Sequence, residues 1–203
     1  MKIDQNLIDK AIKAIMDLFG KEVAKPVKPL EAIPSQMIIP GIICKPIQDI
    51  EYKQIQDIDW NNPESKISEH FTVKEALWLP GWKRLANEAD GLNDTVKTNL
   101  IKIFKKMDTV RNFLGKPIKV HCAYRPEEYN KSVKGAAHSS HKADVDSAAV
   151  DWDCGENCFE TQKKLDPMLE GWELRMENNG SDATWVHLDN REVPPGGKRW
   201  FKP

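Results

Sequence analysis

Apolar side chains recur every three to four residues in two stretches of the chain, which predicts two amphipathic helices. The first is expected over residues 4–20, where an Asp can cap the start and a Gly can end the helix. The second is expected over residues 94–114, with Gly115 closing it. A short helical turn is also predicted after Thr72, its cap, with Glu75 as the partner three residues on.

Alternating and β-branched segments predict strands in the second half of the chain. A short strand is expected at residues 117–123, and a further helix at residues 159–169. Residues 172–177 and 184–189 flank a turn-rich connection at residues 178–182, which predicts a β-hairpin. This order of elements predicts an α+β domain with a small antiparallel sheet flanked by helices.

The first third of the chain has a different pattern. Five prolines between residues 25 and 46 exclude a long helix or a central strand there. We therefore expect two regions. Residues 1–67 form an N-terminal helix and a Pro-rich extended segment, which could serve as an oligomerisation or docking arm. Residues 68–203 form one compact domain.

Charge and composition exclude several classes of protein. The chain has 30 basic and 31 acidic residues, so it lacks the positive charge typical of a nucleic-acid-binding protein. It shows no apolar leader segment and no membrane span, which predicts synthesis in the cytoplasm without a signal peptide. The sequence leaves the oligomeric state open.

Four cysteines are too few for a disulfide scaffold in a chain of 203 residues. Cys154 and Cys158 are close in sequence and could form a disulfide, bind a second zinc with other ligands, or remain two buried thiols. A reducing cytoplasm favours two buried thiols.

The candidate chemistry lies in two segments. His141 is followed by several aspartates, and His187 lies in an apolar, β-prone run. Two His and one Asp make a plausible open zinc site, because three protein ligands leave the fourth tetrahedral position for water. His70 and His121 are interpreted as non-ligands. His138, three residues before His141, is a candidate hydrogen-bond donor to an oxyanion.

Five separated blocks of the chain resemble the zinc D-Ala-D-Ala carboxypeptidase family of bacterial and phage cell-wall peptidases, relatives of the vancomycin-resistance dipeptidases. These blocks are Phe71–Glu75, Val110–Ile118, Ala123–Asn130, Ser140–His141 with Ala149–Asp151, and Trp185–Asp189. The resemblance covers about residues 68–192. It implies a Hedgehog/DD-peptidase-like zinc peptidase fold for residues 68–203.

The resemblance also implies roles for individual residues. Arg125, in the Tyr-Arg-Pro block, would bind a carboxylate or a peptide carbonyl of the substrate. The implied ligands of a single catalytic zinc ion are His141, Asp151 and His187.

The spacing of the first two ligands departs from the family. Nine residues separate His141 from Asp151, whereas six are usual in the family, so Asp144 and Asp146 are rival ligands. The local Ala-Val-Asp motif favours Asp151. The acidic loop of Asp144, Asp146 and Asp153 could also hold a second ion, but it lacks the Gly and the distal Glu of an EF-hand loop. A solvated loop is the favoured interpretation.

The proton-transfer acid is the other departure from the family. Relatives often place it three residues before the last His, where this chain has Thr184, which cannot act as a base. If Glu177 pairs with Trp185 in the hairpin, strand alternation directs Glu177 to the metal side. A register slipped by one residue would make Asp182 the better candidate. Asp189 is expected to orient the His187 imidazole.

The resemblance predicts a hydrolase: a zinc metallopeptidase that cleaves a DD or LD peptide bond in peptidoglycan stem peptides, as a carboxypeptidase or a phage endolysin does. Glu177 would move the proton, and the protein would act at the bacterial cell wall or be carried in a phage virion. The alternative is a zinc-binding virion structural or cell-wall-binding module without hydrolytic activity. Thr184 is the main support for this alternative.

Overall fold

The computed structural model describes most of the chain from residue 54 onward. The described residues are 54–154, 158–178, 180, 183–194 and 196–202, together with the strand pair Ile38–Ile39 (β1) and Ile42–Ile43 (β2). The helix predicted at residues 4–20 and the candidate Asp182 lie outside the described residues. The domain boundary near residue 67 stays a prediction.

Capping explains where the first described α-helix, α1, begins. It spans Val73–Leu77, and the Thr72 side chain accepts a hydrogen bond from the Glu75 backbone nitrogen at 3.3 Å. The Glu75 carboxylate accepts one from the Thr72 backbone nitrogen at 2.9 Å. The capping box predicted for this turn is therefore confirmed, since two otherwise unpaired helix-end donors are satisfied.

The long helix α2 spans Asp94–Leu114, as its apolar spacing predicts. Asn93 caps its start, and Gly115 ends it in the left-handed conformation with φ 65°. Leu100 and Phe104 are among its fully buried side chains. No helix among the described residues is long and apolar enough to cross a membrane.

Two shorter helices complete the described α-helices. Helix α3 spans Glu127–Ser132, and helix α4 spans Cys158–Leu165. The segment predicted as one helix at residues 159–169 is α4 followed by a 3₁₀ turn at Asp166–Met168. Pro167 stands in the first turn of the 3₁₀ segment, where it removes the backbone donor needed to continue α4.

Two further sheets follow β1 and β2. Strands β3 (Trp78–Leu79) and β4 (Arg84–Leu85) form a short antiparallel hairpin that the sequence did not predict. A five-stranded sheet has the order β5-β6-β8-β7-β9. Its strands are β5 (Lys119–Cys122), β6 (Ala149–Asp153), β7 (Arg175–Glu177), β8 (Val186–Asp189) and β9 (Trp200–Phe201).

The prediction of an α+β fold is confirmed, and small antiparallel sheets are present, but the main sheet is larger than predicted and mixed. Strand β9 pairs with β7 in parallel, whereas the other four strands pair antiparallel. The difference arises because the C-terminal segment returns along β7 in the same direction. Such a long-range pairing leaves no local signal in the sequence.

The register of β7 and β8 also differs from the prediction. Arg175 lies opposite Asp189, two residues further along than a pairing of Glu177 with Trp185 requires. A shift of two residues keeps every side chain on its predicted face, because side chains alternate with a period of two. Arg175 and Asp189 also form an ion pair in this register, at 2.7 Å between Nη2 and Oδ2.

The two faces of the sheet have opposite character. On one face, side chains from β6, β7 and β8 join the buried face of α2 in one hydrophobic core. The core side chains of these strands are Val150, Trp152, Met176, Val186 and Leu188. The other face carries the polar and ionisable side chains that the strands place between these apolar residues.

Cys154 and Cys158 form a disulfide, so the interpretation as two buried thiols is wrong. Cys154 follows β6 and Cys158 begins α4, which brings their Cα atoms to 5.6 Å, a separation typical of disulfides. Cys122 is a free, buried cysteine.

Candidate active site

Three side chains from separate parts of the chain meet on the polar face of the sheet. His141 lies in a 3₁₀ turn at Ser140–Lys142, Asp151 in β6, and His187 in β8 directly opposite Asp151. One ligating atom from each lies within 4.8 Å of the others. Among the described residues this is the only group of His, Cys, Asp and Glu side chains that could hold a metal ion.

The hydrogen bonds of His141 determine its tautomer. Nδ1 lies 2.7 Å from the carbonyl oxygen of Ala123 and must donate to it. Burial lowers the pKa of His141, so the ring is neutral and Nε2 carries a lone pair. Nε2 lies 3.1 Å from Oδ2 of Asp151. Two acceptors that face each other at this distance require a cation or a proton between them, so the donor set fits a metal ion.

His187 lies between two carboxylates. Nδ1 is 2.7 Å from Oδ1 of Asp151, and Nε2 is 3.6 Å from Oδ2 of Asp189. Burial opposes the charged imidazolium, but the two carboxylates outweigh it and raise the pKa of His187 to about 9. With Nε2 facing Asp189, Nδ1 is the nitrogen available to a metal ion.

Asp189 connects the segments that carry the two His. It is 1 % exposed and accepts two hydrogen bonds from Arg175, at 2.8 and 2.7 Å. It also accepts from the hydroxyl of Ser140 at 3.2 Å and from the backbone nitrogen of Arg191 at 3.0 Å. Burial opposes ionisation, but Arg175 outweighs it and lowers the pKa of Asp189. This carboxylate therefore stays charged and holds β7, β8 and the turn of His141 together.

His141, Asp151 and His187 together form the ligand cluster. Arg125 reaches this cluster from the loop after β5. Its Nη2 donates to Oδ2 of Asp151 at 2.6 Å, and its Nε donates to Sγ of Cys122 at 3.2 Å. Burial alone would raise the pKa of Asp151, but the hydrogen bond and the positive charge of His187 help to outweigh burial, and the pKa lies well below its usual range. Asp151 is therefore a carboxylate at neutral pH, as a metal ligand must be.

The cluster forms one wall of a cleft of about 750 Å³. Glu177 also lines this cleft, and its half-buried carboxyl makes no hydrogen bond or ion pair with any described residue. Burial raises the pKa of Glu177. Trp185 lines the cleft as well and is 40 % exposed, whereas Thr184 is exposed and is not among the lining residues.

The other candidates predicted from the sequence lie in several places. His138 lines the cleft, and its carbonyl accepts a hydrogen bond from Arg191 at 2.7 Å, but its role toward an oxyanion stays a prediction. His121 also lines the cleft without joining the ligand cluster. His70 binds Asn112 at 2.8 Å and does not line the cleft.

The three aspartates that were considered as a site for a second ion do not converge in the structure. Asp144 pairs with Lys142 at 3.1 Å, and Asp153 lies 3.8 Å from His121. Asp146 is exposed. Among the described residues these three aspartates do not form a group that could share an ion.

Several residues that line the cleft were not predicted from the sequence. Arg175 lies two residues before Glu177, so strand alternation places it on the same face and could have identified it. The ring of Phe201 lies 5.6 Å from the ring of His187 and 4.5 Å from the guanidinium of Arg175. Only the parallel pairing of β9 with β7 brings Phe201 there, and no local pattern indicates that pairing.

The comparisons with known proteins give one match. The family model described as Peptidase M15 matches residues 70–189, which is more than half of the chain. No curated protein and no solved structure matches. The matched span runs from the residue before Phe71 to Asp189 and contains His141, Asp151 and His187. The chain therefore belongs to the Peptidase M15 family, the zinc D-Ala-D-Ala carboxypeptidase family that its sequence resembles.

Proposed function

We propose that this protein is a zinc metallopeptidase that hydrolyses a peptide bond in peptidoglycan stem peptides at the bacterial cell wall. The observation that carries the proposal is one arrangement in the cleft. Three convergent ligand atoms line the same cleft as Glu177, whose carboxyl makes no hydrogen bond or ion pair with them. Membership of a peptidase family supports hydrolysis, and the resemblance to cell-wall peptidases supports the substrate.

The metal would be held by His141 through Nε2, by His187 through Nδ1 and by a carboxylate oxygen of Asp151. Two imidazoles and one carboxylate suit zinc, and a set of three protein ligands is typical of a catalytic site. When bound, zinc polarises a carbonyl and lowers the pKa of a water molecule to about 7.

Glu177 would act as the general base and then as the general acid. Its carboxylate takes a proton from the attacking water and delivers it to the amine that leaves when the peptide bond breaks. A raised pKa suits both steps, because the protonated form must also be accessible near neutral pH. The absence of a bonded partner among the described residues leaves this carboxyl available for both transfers.

Arg125 would stabilise the negative charge that develops on the carbonyl oxygen. Its Nε and Nη2 are held by Cys122 and Asp151, and Nη1 has no partner among the described residues. A donor held in this way loses little entropy when it binds the oxyanion. Burial opposes its charge, but Cys122 and Asp151 outweigh this and raise the pKa of Arg125.

The proposal is tested by metal analysis combined with mass spectrometry of muropeptides. Purified full-length protein is expected to contain about one zinc per chain and to release new amine and carboxyl termini from purified peptidoglycan. Removal of zinc with a chelator should abolish the release, and added zinc should restore it. The mass of the products identifies the DD or LD bond that is cut.

The alternative function is a zinc-binding virion structural or wall-binding module without hydrolytic activity. Thr184 supports it, since this position lacks the acid usual in relatives. Glu177 argues against it, because a half-buried acid in the cleft can replace that acid. A zinc-loaded wild type that binds several cell walls but cleaves none of them would favour the alternative.

A further inference from the structure

Only two of the four strongly basic side chains that line the cleft form an ion pair with a carboxylate among the described residues. The strong cations that line it are Arg125, Arg175, Arg191 and Lys202. Arg125 pairs with Asp151, and Arg175 pairs with Asp189, both at distances below 3 Å. Within the described part of the chain, no carboxylate forms an ion pair with Arg191 or Lys202.

Arg191 is held in place by two contacts that leave its charge uncompensated. Its backbone nitrogen donates to Oδ1 of Asp189 at 3.0 Å, and its Nη2 donates to the carbonyl oxygen of His138 at 2.7 Å. A carbonyl is a neutral acceptor, and the guanidinium has five N–H donors. The remaining donors can bind a planar carboxylate, and the anchored side chain loses little entropy when it does so.

Lys202 lines the same cleft as the three candidate ligands. The ring of Phe201 is 5.6 Å from the ring of His187. Lys202 follows Phe201 and lines the same cleft with an exposed side chain. Its ammonium is a mobile point charge, which suits attraction of an anion more than strict orientation of it.

The distance along the chain limits where a bound anion would lie. Arg191 is four residues beyond His187, so their Cα atoms are at most about 14 Å apart. This is the length of about four residues of an extended peptide. Arg191 also lines the same cleft as the three candidate ligands, so an anion that it binds would lie in the cleft that holds the bond being cut.

We propose that Arg191 and Lys202 form a subsite for a carboxylate of the peptide substrate, distinct from the contact made by Arg125. The subsite rests on the proposed peptidase function and defines its substrates as peptides with a carboxylate near the scissile bond. Two sources share this chemistry. One is the C-terminal carboxylate of the peptide, and the other is an acidic side chain within it.

The test measures peptide binding separately from hydrolysis. Zinc-loaded full-length protein with Glu177→Gln, which prevents turnover, is titrated calorimetrically with acetyl-L-Ala-D-Glu-L-Lys-D-Ala-D-Ala. The same peptide is then used with a C-terminal amide, and with D-Gln in place of D-Glu. Removal of the recognised carboxylate should weaken binding about tenfold, since a hydrogen bond to a charged group is lost. The derivative that binds more weakly identifies the source.

Variants of the two cations connect this preference to the subsite. In Arg191→Gln and Lys202→Gln the difference between the acid peptide and its neutral derivative should fall well below tenfold. Lys198→Gln is the matched control, because Lys198 is exposed, precedes β9 and does not line the cleft. Arg191→Gln also removes the contact with His138, so Lys202→Gln, which breaks no hydrogen bond among the described residues, tests the subsite if the first variant unfolds.

The outcomes separate the subsite from the peptidase function. Equal binding of all three peptides, no binding of any, or a preference unchanged in both variants would overturn the subsite. Hydrolysis by the unmodified protein is measured in parallel. Hydrolysis without a carboxylate preference would retain the peptidase and reject the subsite, whereas carboxylate-dependent binding without hydrolysis of any wall would reject the peptidase and retain the subsite.

Discussion

The two faces of the five-stranded sheet are made from the same strands but follow different physical rules. Trp152 and Leu188 are at most 1 % exposed on the core face, where buried apolar area stabilises the fold. Asp151 and Asp189, one residue away from them, are also buried on the opposite face. A buried carboxylate is unfavourable unless it is paired, and each of these makes contacts below 3 Å with an Arg side chain.

This contrast shows which face is shaped by stability and which by chemistry. Replacing the paired charges with apolar residues of similar size would often leave a fold as stable or more stable. The polar face is therefore best explained by the site that it builds. Substitutions on the core face should change the stability of the protein, whereas substitutions on the polar face should change its metal binding and activity.

Glu177→Gln gives the largest expected effect and tests the polar face. Hydrolysis should fall by about 10²–10⁴-fold, because the amide cannot accept the proton of the attacking water. Zinc content and the melting temperature should stay close to those of the wild type. The measurement is the rate of muropeptide release, with Glu170→Gln, an exposed glutamate outside the cleft, as the matched control. If zinc is lost together with activity, Glu177 is a ligand and not the proton carrier.

Trp152→Ala should have the converse effect on the core face. The loss of a fully buried indole is expected to lower the free energy of unfolding by about 3–5 kcal/mol. Urea unfolding of the metal-free protein measures this difference. At temperatures where the variant remains folded, its zinc affinity should stay within a few-fold of the wild type. A destabilisation below about 1 kcal/mol would contradict the assignment of this face to the core.

Asp189→Asn is expected to have a smaller effect than Glu177→Gln has on hydrolysis or Trp152→Ala has on stability. The amide keeps the shape of the side chain but removes the charge that faces Nε2 of His187 and binds Arg175. Zinc affinity should fall about 10–100-fold, as is usual when a partner of a ligating His is changed. Competition with a chromophoric chelator measures the affinity. An unchanged affinity would show that Asp189 serves only to hold the strands together.

The pH dependence of stability separates that structural role from the metal. The pKa of Asp189 is lower in the folded protein than the usual value of about 3.9, because Arg175 pairs with it. At low pH the unfolded state therefore binds more protons, so this contribution is present above about pH 3.9 and is lost as the pH falls further. Urea midpoints of the metal-free protein from pH 7 to pH 3 should fall more steeply for the wild type than for Asp189→Asn. Parallel curves would show that Asp189 contributes nothing to acid unfolding.

Local signals made part of this structure predictable from the sequence. Helix α2 and the capped turn at α1 depend on spacing and capping within a few residues, and both have the predicted form. The ligand trio was predicted from the resemblance, since neither spacing nor composition selects Asp151 among the neighbouring aspartates. The structure brings this trio together.

Long-range pairing made the rest unpredictable. Two registers of β7 against β8 that differ by two residues place Glu177 on the same face, so alternation predicted its face but not its partner. The parallel pairing of β9 with β7 joins segments more than 20 residues apart, and Phe201 and Lys202 reach the cleft only through it. The proton-transfer acid was uncertain for the same reason, because its position depends on the register of two strands.

Thr184→Glu should have the smallest effect and tests the position of the acid. Thr184 is exposed in the bend before β8 and does not line the cleft, so a carboxylate there should not reach the scissile bond. Alone, the substitution should change hydrolysis by less than about twofold and stability by less than about 0.5 kcal/mol. Combined with Glu177→Gln, it should not restore activity, as measured by the same muropeptide assay. Recovery of more than about tenfold would show that the bend brings residue 184 into the cleft, and that Glu177 does not carry the proton.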